Sequence, residues 1–392
     1  MKAWYKGQGI SAGFLPVERK NGQAISKNAI MIAEMFNFYI GKGENNMVKR
    51  LITVWLSITM LLFSTISIYA YAGSVTVQGT YLLKDFVING QNILNYKLND
   101  PVVAYNNYIY VPLDEPMGDL LGISASMDSG SRTVYISQKD REWVDFCQGG
   151  VVNNLDDLTM TAQTDVSAYV VTDAHPEGTP LDLNNRPVLM YGSVLYVPLN
   201  AIVDSGLLGW TLHWNEFTGA NLSTDPVMSA WSSFDKGRAD YKAGLTAYIM
   251  KKNPKVSFSK ARMMVEYAET YGEIYGGLDE ELLIAVMESE STFYENIKNS
   301  HNCYGLMQIK AYVAASYGFS TSQLLQAKYN IQMGCILLNH GMNTFNGNVT
   351  LALSGYACGE NAVKRGNYSL KFYNNWVKKF FNIVAYASTY QS

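Results

Sequence analysis

The sequence predicts a multidomain fold, in which a β-rich α+β module is followed by an all-α domain at the C-terminal end. In the first region the tetrapeptide Tyr-Val-Pro-Leu at residues 110–113 returns at residues 196–199, offset by 86 residues and each time close to alternating segments. Such repeated alternation is typical of strands. In the second region Leu283, Val286 and Met287 recur at helical steps, which indicates one apolar face of a helix.

The N-terminal residues contain a predicted export signal. Two basic residues follow soon after Met47, an apolar run extends over residues 51–71, and the run ends in Ala-Tyr-Ala. This pattern predicts a secretory signal peptide at residues 47–72. Residues 1–46 are interpreted as an upstream extension that is not part of the mature protein. The apolar run is about 20 residues long and is able to span a bilayer, so an uncleaved membrane anchor is the alternative.

A candidate general acid lies at the end of the predicted helix. Asp279 is the expected N-cap after a Gly-Gly pair, which places Glu290 near the C-terminus of the helix. The negative end of the helix dipole and the apolar neighbours Met287 and Phe293 disfavour another negative charge, so we expect a raised pKa for Glu290. A carboxyl group of raised pKa suits general acid catalysis.

Four motifs in order resemble those of a known family. They are Glu-Ser-x-Phe at residues 290–293, Gly-Leu-Met-Gln-Ile at 305–309, Asn-Ile-Gln-Met-Gly at 330–334 and Gly-Tyr-Ala-Cys-Gly at 355–359. Together they resemble the soluble lytic transglycosylase family, which is related to goose-type lysozyme, over residues 258–363. The resemblance implies a lysozyme-like all-α fold for residues 258–392, with peptidoglycan glycan strands as the partner.

The resemblance also implies roles for individual residues. Glu290 matches the single catalytic acid and base of the family, and Gln308 matches the glutamine that lines the cleft. Tyr356 matches the tyrosine whose hydroxyl reaches toward the carboxylate, with an ordinary core tyrosine as the alternative. Met307 and Phe293 are expected to pack and to form the groove wall. The expected substrate-binding residues are Ser291, Phe293, Met307, Gln308 and Tyr356.

Some positions depart from the family pattern or compete with the acid. Ala357 replaces an asparagine, which puts one hydrogen bond in the cleft in doubt. Asn299 stands where the family has a serine, with Ser300 beside it, and neither is assigned that role. Cys303 replaces a small residue. Glu288 is a rival carboxylate, but residues two apart on a helix point about 200° from each other, so Glu288 and Glu290 cannot share one cleft. The spacing to the second motif selects Glu290, and Glu288 is expected on a solvated face.

A single carboxylate favours transglycosylation over hydrolysis. Glycosidases commonly use two carboxylates, but Glu295 and Glu360 are interpreted as loop charges. The resemblance implies that Glu290 protonates the glycosidic oxygen between MurNAc and GlcNAc. It then takes the proton of the MurNAc C6 hydroxyl, which attacks C1 and forms a 1,6-anhydro product. A hydrolytic lysozyme of the same fold and a non-catalytic cell-wall-binding protein are the alternatives.

Residues 73–225 resemble two copies of the copper amine oxidase N-terminal-like domain, although no His or Cys cluster supports copper. An Asn-Gly pair at residues 89–90 predicts a β-hairpin, and a short helix is expected around residues 113–121. The module is interpreted as a stalk or as a binder of wall polymer through exposed aromatic residues. Ordinary core and surface aromatics are the favoured interpretation of those candidates, Tyr105, Tyr108 and Trp214.

The remaining segments and the composition complete the prediction. Residues 226–257 are interpreted as a linker helix, and Phe372, Trp376 and Phe380 predict a final amphipathic helix. A net charge of -3 with 16% charged residues implies no nucleic-acid surface. The four His occur singly and the Cys show no CxxC pair, so no metal or other cofactor is expected. One disulfide is left open among Cys303, Cys335 and Cys358. The expected location is secreted or cell-wall associated, and membrane bound only if the signal is uncleaved.

Overall fold

The computed structural model describes residues 73–142, 144, 154–225 and 230–390. The predicted signal peptide, the upstream extension and Cys147 lie outside the described residues. All described residues belong to one compact unit, Ala72–Ser392. Within the described ranges no helix is both long enough and apolar enough to cross a membrane.

The β-rich module consists of two copies of the same series of elements. The first copy contains β1 (Ser74–Tyr81), β2 (Phe86–Ile88), β3 (Gln91–Ile93), β4 (Val103–Tyr105), β5 (Tyr108–Pro112), α1 (Glu115–Leu121), β6 (Ile123–Asp128) and β7 (Thr133–Gln138). The second copy contains β8 (Leu158–Gln163), β9 (Ser167–Thr172), β10 (His175–Leu181), β11 (Val188–Tyr191), β12 (Val194–Pro198), α2 (Leu199–Ser205), β13 (Thr211–Asn215) and β14 (Gly219–Ser223). The predicted repeat is therefore present as a structural repeat.

The two copies exchange hairpins. Strands β1, β4, β5, β12, β11 and β8 form a closed barrel in that order, and Val111 lies opposite its repeat equivalent Val197. The hairpin β6–β7 of the first copy pairs with β9–β10 of the second in one four-stranded sheet. The hairpin β13–β14 of the second copy pairs with β2–β3 of the first in another. Each of these sheets is thus built from both copies.

Local sequence explains the predicted turn and helix of the first copy. Asn89 and Gly90 have φ angles of 49° and 82°, as a two-residue hairpin turn requires. Helix α1 begins after Asp114, whose carboxylate accepts a hydrogen bond from the Met117 N–H at 3.1 Å and so satisfies a free donor of the first turn. Both predictions are confirmed.

The candidate wall-binding aromatics of the module differ in accessibility. Tyr105 and Tyr108 are half-buried, and the guanidinium of Arg186 lies 5.2 Å from the Tyr108 ring centre. Trp214 is 47% exposed. Among the described residues no group of three or more His, Cys, Asp or Glu is placed to hold a metal ion. The resemblance to the copper amine oxidase N-terminal-like domain stays a prediction.

The C-terminal region is helical, as predicted. It contains α3 (Ser233–Lys252), α4 (Phe258–Ile274), α5 (Glu280–Glu290), α6 (Ala311–Ser316), α7 (Ala327–Thr344), α8 (Val349–Cys358), α9 (Glu360–Lys364) and α10 (Lys371–Ser388), with a small ladder of β15 (Cys303–Tyr304) and β16 (Ile309–Lys310). Helix α5 is the central helix, because the apolar residues from Leu283 to Met287 are fully buried and it contacts α3, α4 and α10.

The sequence predictions for helices α3 and α10 have different outcomes. Helix α3 buries Leu245 and Ile249 completely in the same core as α5, so the predicted linker helix is wrong and α3 is a core helix. The terminal helix α10 is confirmed. Its buried face contains Trp376 and Ile383, whereas Phe372 is largely exposed, because it lies outside the side of α10 that meets α3, α5 and α8.

The module and the helices meet at a charged junction, defined by Lys84, Asp85, Lys242, Glu266 and Glu269. The Lys84 ammonium lies 2.6 Å from the Glu266 carboxylate, and Lys242 lies 2.6 Å from Glu269 and 3.5 Å from Asp85. These side chains are largely buried, and buried ion pairs depend on their partners being kept. The module is therefore packed firmly against the helices and does not stand apart from them as a stalk.

Candidate active site

Glu290 is the last residue of α5 and its carboxylate is unpaired. The side chain is half-buried, and no hydrogen bond or ion pair joins it to another described residue. Burial raises the pKa of the Glu290 carboxyl above its ordinary value of 4.5, because the charged form loses solvation. Asp279 occupies the predicted N-cap position of α5, although its side chain makes no capping hydrogen bond.

The chain turns abruptly after Glu290. Thr292 and Phe293 have φ angles of 49° and 61°, a left-handed conformation that costs a β-branched or bulky residue about 1–2 kcal/mol. Phe293 holds the turn through its ring, which is 1% exposed. Asn253, at the C-terminal end of α3, holds it through its side-chain amide, which donates to the Thr292 carbonyl oxygen at 2.8 Å. The turn is therefore imposed by tertiary contacts.

A second turn is formed by residues 305–308. Gly305 has a φ of 73°, and a methyl group there would overlap the Leu324 carbonyl oxygen. The fully buried Asn330 donates to the carbonyl oxygens of Tyr304 at 2.9 Å and Leu324 at 2.8 Å, and accepts from the Met307 N–H at 2.7 Å. Asn330, from the motif at residues 330–334, therefore holds the backbone of the motif at residues 305–309 in place.

Tyr356 contacts this turn and is close enough to Glu290 to be affected by its charge. Its hydroxyl donates to the Met307 carbonyl oxygen at 2.9 Å, and its ring meets Trp376 edge-on at 5.9 Å. Burial, together with the negative charge of Glu290, raises the pKa of Tyr356 well above 10. The two side chains are thus electrostatic neighbours, and the hydroxyl donates its hydrogen bond to the Met307 carbonyl oxygen. The predicted reach of this hydroxyl toward the carboxylate stays a prediction.

The expected substrate-binding residues are only partly accessible. Phe293 and Met307 are 1% and 0% exposed, so they are core residues and do not form a groove wall. Ser291 is also buried, and its hydroxyl donates to the Met287 carbonyl oxygen at 3.0 Å, which leaves it no access to substrate. Gln308 and Tyr356 keep accessible surface, although the Gln308 amide donates to the Gly305 carbonyl oxygen at 2.9 Å.

Glu288 is a buried ion-pair residue, so its predicted position on a solvated face is wrong. Its carboxylate accepts from the Tyr248 hydroxyl at 2.8 Å and from Lys379 at 2.6 Å, and Lys252 lies 3.2 Å away. Burial alone would raise the pKa of Glu288, but the hydrogen bonds from Lys379 and Tyr248 outweigh it and hold that pKa below 4.5. The face opposite Glu290 is covered by α3 and α10, which supply these partners.

The structure also shows the surroundings of the other acidic residues, of Asn299 and of the cysteines near the motifs. Glu295 lies in a loop and accepts from the Ala327 N–H at 2.9 Å. Glu360 begins α9 and lies 3.2 Å from His340, so it is not a loop charge. The Asn299 side chain accepts from backbone N–H groups of its own loop. The cysteines that are described, Cys303, Cys335 and Cys358, are free thiols.

The sequence prediction missed Asn253 and Lys379. Asn253 was visible only as the residue before a proline that breaks the chain, and Lys379 only as one charge of an amphipathic helix. Neither pattern shows which distant carbonyl or carboxylate the side chain will meet.

Comparison with known proteins finds similarity in the helical region. Residues 267–378 match the family described as Transglycosylase SLT domain. Among solved structures, the 70 kDa soluble lytic transglycosylase SLT70 from Escherichia coli is 18% identical over 40% of this chain and 30% of that chain, with a TM-score of 0.27. An inactive mutant of the lytic transglycosylase Slt from Pseudomonas aeruginosa is 22% identical over 39% of this chain and 28% of that chain, with a TM-score of 0.25.

The chain spans less than a third of the length of these solved proteins. The family match lies wholly within the helical region and includes Glu290, Gln308 and Tyr356. Over residues 267–378 the helical region is therefore similar to the Transglycosylase SLT domain family.

Proposed function

We propose that this chain is a peptidoglycan lytic transglycosylase in which Glu290 acts as the single general acid and base. The observation that supports this most is the unpaired, half-buried carboxyl of Glu290 at the end of α5, with its raised pKa. A raised pKa favours the protonated carboxyl, whose proton is then available to the leaving group.

In the proposed reaction the proton of Glu290 passes to the glycosidic oxygen, and the bond from that oxygen to C1 of MurNAc breaks. The Glu290 carboxylate then takes the proton of the MurNAc C6 hydroxyl, and the C6 oxygen bonds to C1. One glycosidic bond between two sugars is exchanged for one intramolecular acetal bond between C1 and O6, and the proton returns to Glu290. No water enters the product.

The surroundings of Glu290 favour this route over hydrolysis. A retaining or inverting hydrolase commonly places a second carboxylate beside the acid. The nearby candidates are engaged elsewhere, since Glu288 is bound by Lys379 and Tyr248, Glu295 by Lys260, and Glu360 faces His340. An intramolecular hydroxyl has a large effective concentration compared with water.

Mass analysis of muropeptides tests the proposal. We expect digests of purified peptidoglycan to contain chains that end in 1,6-anhydroMurNAc, without ¹⁸O from labelled water. Products with ¹⁸O at a reducing end would instead show a lysozyme, and Glu360→Gln would then be the first variant to examine. Binding to sacculi without release of any fragment would show a non-catalytic wall-binding protein.

We also propose that the mature protein is secreted or cell-wall associated. The support is the sequence pattern at residues 47–72, which lies outside the described residues. N-terminal sequencing of the exported protein should give Gly73 as the first residue. A membrane-bound product that retains residues 51–71 would show an anchor.

A further inference from the structure

The direction of the Glu290 carboxylate depends on the backbone that follows it. No described side chain binds the carboxylate, so no direct contact sets its position. The last turn of α5 is instead fixed from its C-terminal side, where the Ser291 N–H donates to the Met287 carbonyl oxygen at 3.1 Å and the Thr292 N–H donates to the Glu288 carbonyl oxygen at 3.2 Å. A change in the backbone conformation of Thr292 would therefore alter the last turn of α5, which carries Glu290.

Thr292 is a residue that needs external support. Its φ of 49° is unfavourable for a β-branched side chain, and the side chain itself is exposed, so packing does not hold it. Its carbonyl oxygen accepts the hydrogen bond from the Asn253 amide at 2.8 Å. Residues held in such sparsely populated conformations persist only where neighbours over-determine them.

Asn253 is built as a rigid donor. It is 3% exposed, and its backbone N–H donates to the Ile249 carbonyl oxygen at 2.9 Å as the cap of α3. Its side-chain oxygen accepts from the Lys255 N–H at 3.1 Å. Because the oxygen of the amide is already engaged, the amide cannot flip, and its N–H group stays aimed at Thr292.

We propose that Asn253 is a positioning residue for Glu290, acting through the left-handed turn at residues 292–293. The inference rests on the proposed role of Glu290 as the acid. Asn253 lies outside the segment that matches the Transglycosylase SLT domain, so the catalytic geometry is completed by α3, a helix from before that segment. Misplacement of a catalytic group by about 1 Å can cost on the order of 100-fold in rate.

The test uses the full chain and the variants Asn253→Ala and Asn253→Asp. The Asp variant keeps an oxygen for Lys255 and replaces the donor to Thr292 by a second oxygen, which accepts and does not donate when the carboxyl is ionised. Asn95→Ala is the matched control, because Asn95 is likewise buried and bridges two segments, donating to the carbonyl oxygens of Leu82 and Val102 at 2.9 Å, within the β-rich module.

Turnover of soluble glycan fragments should be measured as a function of pH, at a temperature where each variant is folded. We expect kcat to fall by about 10-fold or more in both Asn253 variants, with KM changed by less than about two-fold. The basic limb of the kcat profile should move to lower pH, because a loosened Glu290 regains solvent and its pKa falls. Asn95→Ala should lower the unfolding midpoint and leave kcat and the pH profile unchanged.

Two other outcomes overturn separate claims. If Glu290→Gln keeps normal activity, the proposed function is wrong, whatever Asn253 does. If Glu290→Gln is inactive but the Asn253 variants match Asn95→Ala in kcat and pH profile, the positioning role is refuted and Asn253 contributes only to stability. Should Asn253→Ala not fold, Asn253→Asp alone decides the question by the same measurements.

Discussion

Replacing Glu288 by Gln should destabilise the fold and leave the chemistry intact. The substitution removes a buried charge that accepts one hydrogen bond from the ammonium of Lys379 and one from the hydroxyl of Tyr248. Hydrogen bonds to charged groups contribute about 1.5–3 kcal/mol each, and Gln still accepts one of them. Lys252 is 38% exposed, so its contribution is small. The expected loss in free energy of unfolding is about 3 kcal/mol, or roughly 5 °C or more in Tm.

This loss should depend on pH with a definite sign. The pKa of Glu288 in the folded protein lies below its ordinary value of 4.5, so the carboxylate contributes stability above pH 4.5 and loses it as the pH falls through the folded pKa. Urea unfolding at a series of pH values from 7 downwards measures the difference between wild type and variant. The difference should be full at pH 7 and shrink in acid.

Glu290→Gln is the matched control, two residues along the same helix. Its carboxylate has no partner and a raised pKa, so its removal should leave stability at pH 7 unchanged or slightly increased while wall-lytic activity falls by 10²-fold or more. Activity per folded molecule should survive in Glu288→Gln. Equal unfolding free energies for Glu288→Gln and wild type, or a Glu288→Gln protein that is stable but inactive, would refute this reasoning.

Three further predictions concern stability. Burial raises the pKa of Glu280 from 4.5 to about 7, a penalty that develops above pH 4.5 and is complete above pH 7, so Glu280→Gln should add up to about 3 kcal/mol in urea unfolding at pH 8 and nothing at pH 4. Gly305→Ala should cost more than about 2 kcal/mol, since a methyl group overlaps the Leu324 carbonyl oxygen, whereas Gly277→Ala, at a similar φ in open space, should cost clearly less. Deleting residues 73–225 removes the partners at the charged junction and should lower stability by about 3 kcal/mol or more; a truncated enzyme with an unchanged Tm would contradict this, while turnover of soluble fragments per folded molecule should persist.

The position of Glu290 at the end of α5 was predictable because it depends on local patterns. The apolar period of α5, its N-terminal acids and the fixed spacing of the motifs all act within a few turns of chain, and together they place Glu290 at the helix end. Glu288 was predicted to point away from the cleft. The prediction that Glu288 is exposed to solvent was wrong. Its side chain is covered by α3 and α10, which come from distant parts of the sequence.

The turn after Glu290 could not be predicted for a related reason. Thr292 and Phe293 disfavour a left-handed backbone, so residue propensities argue against the observed conformation. The burial of the Phe293 ring and the bond from Asn253 overrule those propensities. Similarly, the repeat of Tyr-Val-Pro-Leu predicted two copies, but no local signal shows that their hairpins pair across copies.

The exchange of hairpins has a consequence for how the module comes to be folded. Strand β2 needs β14, and Phe86 pairs with Ala220, so the first copy cannot be completed until nearly the whole module has been synthesised. Such long-range pairing slows folding. A single copy made alone would expose unpaired strand edges and could satisfy them only on a second identical chain. The tandem repeat is therefore equivalent to a domain-swapped dimer joined into one polypeptide, in which covalent linkage replaces the concentration dependence of assembly with a fixed, intramolecular partner.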